Sequence, residues 1–241
     1  MDIVYLVKND LENNSEELRY SLRSLKNIPH DKVIIVGEKP EWATNVTFIP
    51  VAQDKAKNEN VKKNLQTAVA SELVSDNFIL MNDDFFFMKE MSAMPNLNFG
   101  LMKNIIEQYD ARYPDGSDYI RNMKKLYEVL METGINEPIS YELHTPMVLN
   151  KQKVQKLYAE ATQSLYQFRS FYGNHYSLGG ETVPDVKVFL HEQHNDSNFV
   201  AQPEAYLENQ AFLSVTGGSF KRGLAGEFIR SKFTEKSIYE L

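Results

Sequence analysis

Short apolar runs alternate with helically spaced segments over the first ninety residues. Ile3 to Val7 is an apolar run suited to a buried strand. Asn14-Ser15-Glu16-Glu17 then opens a helix with a capping residue and early acids, and Leu18, Leu22 and Leu25 keep to one face of it. Lys32 to Gly37 is a β-branched run closed by glycine, as central parallel strands often are, and residues 46–50 make a third strand. Residues 57–74 predict a helix with Val61, Leu65, Ala68, Val69 and Leu73 inward, followed by a buried strand over 77–82. This β-α-β-β-α-β order implies an α/β fold, a mostly parallel sheet with flanking helices.

The pattern changes after about residue 98. Helices are expected at 99–110, 117–133 and 150–165, broken by Pro114-Asp115-Gly116 and by the stretch from Gly134 to Pro138. Beyond 170 the chain reads as irregular, with strands at 185–190 and 211–215 and a last helix at 222–233. One domain over residues 1–241, with a helical insertion at about 98–165, is the simplest account.

Composition narrows the class. The 241 residues are 42% hydrophobic and 24% charged, which is ordinary for a globular chain. No apolar run approaches the roughly 18 residues of a membrane span, and the N-terminus lacks a signal-peptide pattern, so a cytoplasmic protein is expected. There is no cysteine, which excludes disulfides and thiolate metal sites. A net charge of −7 argues against coating nucleic acid by counterion release.

The Asn82-Asp83-Asp84 cluster is the main candidate for chemistry. It follows an apolar strand, at the edge where α/β sheets bind ligands, and two carboxylates there can hold Mg²⁺ or Mn²⁺ with diphosphate oxygens. In an extended chain Asn82 and Asp84 point one way and Asp83 the other. A capping turn is the alternative reading, although the buried Phe85-Phe86-Phe87-Met88 that follows favours the functional one.

Other candidates are more scattered. Arg19 and Arg23 lie four apart on the first helix and can bind phosphate, with solvated helix charges as the alternative. His144, before Thr145-Pro146, can act as acid, base or phosphate ligand. Arg169 sets a fixed cation beside a glycine turn at Gly173, and Asp185 opens a later strand. Trp42 reads as a packed loop residue more than a stacking platform. His191-Glu192-Gln193-His194 has the wrong spacing for a helical zinc pair, which excludes a zinc protease.

Several of these islands, in this order, resemble the Stealth proteins, the sugar-phosphate transferases of bacterial capsules and lysosomal-enzyme tagging. Asp2-Ile3-Val4-Tyr5 is similar to their opening motif, and the nine residues from Glu17 to Leu25 to their second block, which ends at a site like Asn82-Asp83-Asp84-Phe85-Phe86. His144-Thr145-Pro146 resembles the third block and Phe233 to Glu240 the fourth. The Asn-Asp-Asp and Arg-Ser-x-Tyr-Gly-Asn segments also resemble glycosyltransferase-like proteins of bacteriophages, and the wider resemblance is to the GT-A nucleotide-diphosphosugar transferase fold. After Tyr5 the chain departs from the Stealth pattern with Leu6-Val7-Lys8-Asn9-Asp10, which removes the usual acid of that loop unless Asp10 replaces it.

The resemblance implies a GT-A-like (Rossmann-like) domain that transfers a sugar from a nucleotide-sugar donor, a UDP-sugar favoured, to an acceptor hydroxyl. Asp2, Tyr5, Lys8, Arg19, Arg23, Asn82 and Asp83 would bind the donor. Asp84 and Asp83 would hold a divalent metal (Mn or Mg), and His144, Asp185 and Arg169 would serve catalysis. Sugar-phosphate transfer is one alternative reading, and a non-catalytic binding protein of the same fold is another. The acceptor would be a polysaccharide or a modified base of phage DNA, and a DNA acceptor predicts a basic patch at Lys62-Lys63, Lys124-Lys125 or Lys221-Arg222.

Overall fold

A computed structural model describes residues 1–8, 15–54, 56–160, 167–189 and 203–241. The chain divides into two compact units, the first formed by Met1–Met94, His144–Gln155 and Val186–Leu241, the second by Pro95–Leu143 and Lys156–Asp185.

The first unit opens with β1 (Asp2–Val7), α1 (Glu16–Ser24), β2 (Val33–Gly37), β3 (Thr47–Pro50), α2 (Lys57–Ala70), β4 (Asn77–Met81) and β5 (Phe85–Phe87). The predicted mostly parallel sheet is present. Its order is β3-β2-β1-β4, all parallel, extended by an antiparallel strand over Met147–Asn150 beside β4. All six residues of β1 and all five of β2 are buried, as strands covered on both faces require.

Two local expectations change. Ser15 adopts a left-handed conformation at φ 51° and its side chain does not cap α1, while Asn14 lies outside the described residues. Helix α2 ends at Ala70, four residues short of the predicted end, and leaves Val61 and Leu73 exposed while Leu65, Ala68 and Val69 are buried.

The second unit holds the short strands β6 (Leu97–Asn98) and β7 (Gly100–Leu101), the paired helices α3 (Met102–Arg112) and α4 (Asp118–Glu132), and β8 (Ile139–Ser140). Met102, Ile105, Met123 and Leu130 form its core. The strand over Met147–Asn150 is β9, and α5 (Lys151–Glu160) begins in the first unit and ends in the second.

An additional helix, α6 (Phe168–His175), occupies a stretch expected to be irregular, followed by β10 (Glu181–Thr182). Gly173 is therefore not a turn. It sits inside α6 because the Tyr141 ring packs on it, and a Cβ there would lie 2.3 Å from that ring.

The chain then returns to the first unit with β11 (Lys187–Val188), α7 (Pro203–Asn209), β12 (Phe212–Val215), α8 (Gly217–Arg222) and α9 (Leu224–Lys232). The last predicted helix is present as α9, and α8 is an additional short helix that starts at the Gly217-Gly218 pair expected to be a loop. Strands β11, β12 and β5 form a second small sheet, and Phe86, Leu213, Phe220 and Ile229 are among the residues of its core. Helix α1 is stitched to this sheet. Ser21 Oγ donates to Phe85 O at 2.5 Å, Ser24 Oγ accepts from Phe87 N at 3.1 Å, and Asn27 Nδ2 donates to Phe87 O at 2.7 Å.

Candidate functional site

Beyond the carboxyl ends of β1 and β4 the first unit opens a cleft of about 770 Å³. Strand β4 delivers Asn82, Asp83 and Asp84 to it, and β1 delivers Lys8. Because β9 runs antiparallel to β4, the residues just before β9 lie at the same edge, which brings in His144. The start of α1 contributes Glu17, α2 contributes Asn60, Val61 and Asn64, and the turn after β12 contributes Thr216 and Gly217. This is the ligand-binding edge of an open parallel sheet.

The acidic strand end is a turn, not an extension of β4. Phe85 N donates to Asn82 O at 3.3 Å, closing residues 82–85, and all three of Asn82, Asp83 and Asp84 line the cleft. The alternating orientation expected of an extended chain is therefore not found. The register of the small sheet then determines what Asp84 meets. Phe85 pairs with Ser214 and Ser214 with Lys187, so these residues form one row, with Asp84 one step before it. Asp84 Oδ2 accepts from the Lys187 ammonium and, at 3.1 Å, from Ser214 Oγ. Lys187 Nζ also donates to Ser214 Oγ at 3.1 Å and to Val215 O at 2.8 Å.

Three carboxyls share this space. Burial, followed by the nearby charges of Asp83 and Asp84, pushes Glu17 up to about 7, against the pull of Lys187 and Lys8. Burial and then Asp84 also raise Asp83 above the usual carboxylate range. Glu17 Oε1 is buried without a hydrogen-bond partner among the described residues, 3.8 Å from where a Cβ on Gly217 would lie.

Part of the lining is neutral and amide-rich. Gln53 Nε2 donates to Val7 O at 2.7 Å and Asn64 Nδ2 to Val36 O at 3.5 Å, while the buried Asn64 Oδ1 has no partner among the described residues. His144 packs edge-on against the Phe85 ring, with centroids 6.5 Å apart.

Lys8, Asn82, Asp83, Asp84 and His144 are thus brought together. Other sequence candidates of the first unit have different surroundings. Asp2 is buried at the opposite, amino end of β1, where Oδ2 accepts from Ser75 N at 2.9 Å and Ser75 Oγ at 2.6 Å. Tyr5 is buried with its hydroxyl 2.8 Å from Ser21 Oγ, and burial raises its pKa.

Arg19 and Arg23 do not line the cleft. They share one face of α1, as residues four apart do, whereas Glu17 lies about 200° around the helix from Arg19. Arg19 stacks on Trp42 at 4.5 Å and lies 3.6 Å from Glu240, and Arg23 is buried against Glu240. Arg169 and Asp185 belong to the second unit. Arg169 Nη1 donates to Leu143 O at 3.3 Å within α6's own surroundings, and Asp185 precedes β11 by two residues. Asp10 and His191 to His194 lie outside the described residues.

Sequence reasoning missed Glu17 and Lys187. Glu17 read as one of two helix-opening acids, and Lys187 as an ordinary strand residue; only the β5-β12-β11 register joins Lys187 to Asp84.

The divalent ion expected on Asp83 and Asp84 does not fit these side chains as they stand. Asp84 Oδ2 is already taken by an ammonium and a hydroxyl, and among the described residues no three His, Asp or Glu side chains converge to hold an ion. The candidate basic pairs are partly neutralised as well, with Lys63 3.6 Å from Asp54 and Lys124 2.8 Å from Asp110. No helix among the described residues is long and apolar enough to cross a membrane.

No protein-family model and no curated protein sequence matches the chain. Among solved structures it is similar to the galactosyltransferase LgtC in complex with donor and acceptor sugar analogues, at 10% identity and a TM-score of 0.46 over 98% of this chain and 96% of that one. An active-site mutant of LgtC aligns at 12% identity and a TM-score of 0.47, covering 99% and 98%. Mouse xyloside xylosyltransferase 1 in its apo form aligns at 10% and 0.33, covering 100% and 96%. Likeness at this level leaves function to the site's own geometry.

Proposed function

We propose that this protein is a glycosyltransferase that binds a nucleotide-sugar in the cleft at the carboxyl edge of its parallel sheet. One observation carries the reading: a single cleft is lined both by a cation with ionisable groups and by neutral amides. Lys8 faces the diphosphate, with Asn82 beside it. Asn64 Oδ1, buried and without a partner among the described residues, accepts from a ribose hydroxyl or a base N–H. The sequence resemblance to nucleotide-sugar transferases at Asn82-Asp83-Asp84 supports the same assignment.

In the transfer step the acceptor hydroxyl attacks the anomeric carbon, and the bond to the donor's diphosphate oxygen breaks. Lys8 stabilises the charge that develops on the departing nucleoside diphosphate. Two groups in the cleft are suited to taking the hydroxyl proton: His144, and Glu17, whose carboxyl titrates at about 7. The acceptor class expected from the resemblance is a polysaccharide or a modified DNA base.

The test is calorimetric titration of the full chain with a panel of UDP- and GDP-sugars in buffer holding both Mg²⁺ and Mn²⁺. Binding of one donor is expected, weakened in Lys8→Ala. A folded protein that binds none of them would sink the donor assignment. Once a donor is known, release of UDP or GDP marks sugar transfer, whereas UMP or GMP marks sugar-phosphate transfer.

A further inference from the structure

The cleft carries its own cation at the acidic strand end. The Lys187 ammonium has three N–H donors, and the protein supplies three acceptors for them: Asp84 Oδ2, Ser214 Oγ at 3.1 Å and Val215 O at 2.8 Å. Both charged side chains are well shielded from water, at 11% and 17% exposure. The lysine is delivered by sheet register, opposite Ser214 on β12, and not by a flexible arm.

A divalent ion bound through the same Asp84 oxygen would stand close to the ammonium, and the like charges would repel each other across a sheltered space. A metal at such a strand end has two tasks: it cancels the carboxylate, and it offsets the incoming diphosphate. Here Lys187 performs the first, and Lys8, which lines the same cleft, is placed for the second.

We infer that Lys187 takes the place of a divalent ion at Asp84, so that the nucleotide-sugar is bound without metal. This rests on the donor-binding reading given above.

The experiment repeats the calorimetric titration of the full chain in EDTA and again in Mn²⁺. Wild-type protein is expected to bind its donor in EDTA with a Kd within about threefold of the Mn²⁺ value. Lys187→Ala frees Asp84, so its binding is expected to fall about tenfold or more in EDTA and to be recovered by Mn²⁺. Lys187→Arg, which keeps the charge, remains indifferent to Mn²⁺. A metal requirement that appears only when the lysine is removed is a signature that mere loss of packing does not produce. If either variant fails to fold, the wild-type comparison alone decides. Donor binding by wild type in Mn²⁺ but not in EDTA overturns the inference and leaves the donor site standing. Binding of no donor in either buffer overturns both.

Discussion

Arg23 grips Glu240 with two parallel hydrogen bonds, Nε to Oε1 at 2.7 Å and Nη2 to Oε2 at 2.8 Å, across 217 residues of sequence. The same guanidinium donates through Nη1 to Phe233 O at 2.9 Å. The pair therefore fastens the stretch after α9 to the outer face of α1. Leu241 N to Trp42 O and Thr44 N to Tyr239 O, both at 2.9 Å, extend the attachment. Two of the sequence islands, the Arg19 block and Phe233 to Glu240, meet here, and what they share is an anchoring contact that holds the helix carrying Glu17.

Glu240→Ala is expected to destabilise the protein by about 3–5 kcal/mol, because it leaves a buried guanidinium without its counter-charge. Burial pushes the Glu240 carboxyl up, but its hydrogen bonds from Arg23 and Ser237 together outweigh that and hold it below its ordinary value. A carboxyl depressed in the folded state contributes stability that is complete above its unfolded pKa and is lost as the pH falls through the folded one. Urea unfolding at pH 7 and at pH 3 checks both points. The gap between wild type and variant should narrow in acid, and an equal gap at both pH values would contradict the ion-pair account.

Gly37→Ala should damage the cleft and the fold together. Gly37 has φ +113°, and a Cβ there would lie 2.2 Å from Val7 O and under 3 Å from the Gln53 and Asn64 amide nitrogens. Backbone strain of this kind costs about 1–3 kcal/mol before the clash is counted. Thermal melting is expected to show a loss of at least that size, and a variant as stable as wild type would mean that β2 can shift at its carboxyl end.

The sheet was legible in the sequence because its strands are buried on both faces, so β1, β2 and β4 are continuous apolar runs bounded by polar residues. The acidic strand end was legible for the same reason, since the run stops at Asn82. Side-chain partners were not. Arg19 and Arg23 have the composition of a phosphate site, and only the three-dimensional return of Glu240 assigns them a structural task. The Lys187–Asp84 contact depends on a strand register between segments 103 residues apart, which no local pattern encodes. Likewise α6 was hidden because Gly173 reads as a turn unless the Tyr141 ring packed on it is known.

Asn64→Ala is expected to weaken donor binding by about tenfold, the value of one hydrogen bond to a buried acceptor. Stability should change by only about 1 kcal/mol, since the amide's bond to Val36 O is long at 3.5 Å. Calorimetry with the identified donor, paired with urea unfolding, separates the two effects. Unchanged affinity would place the nucleoside elsewhere in the cleft.

Glu17→Gln joins stability and chemistry in one variant. The carboxyl is raised from 4.5 to about 7 in the folded protein, first by burial and then by Asp83 and Asp84. A raised acid costs the folded state nothing below its unfolded pKa; the penalty grows as pH climbs towards the folded value and is complete above it. The amide removes that penalty, so the variant is expected to be more stable than wild type by about 1–2 kcal/mol at pH 8, after discounting for partial exposure, and to show no gain at pH 4. Transfer should respond in the opposite sense. If Glu17 takes the acceptor proton, wild-type turnover rises as pH passes through about 7, and the amide lowers it by about 100-fold and flattens that limb. Full turnover in the variant would leave His144 as the proton acceptor, whereas the gain in stability at pH 8 depends on the burial of Glu17 and then on its crowding by Asp83 and Asp84, and should persist.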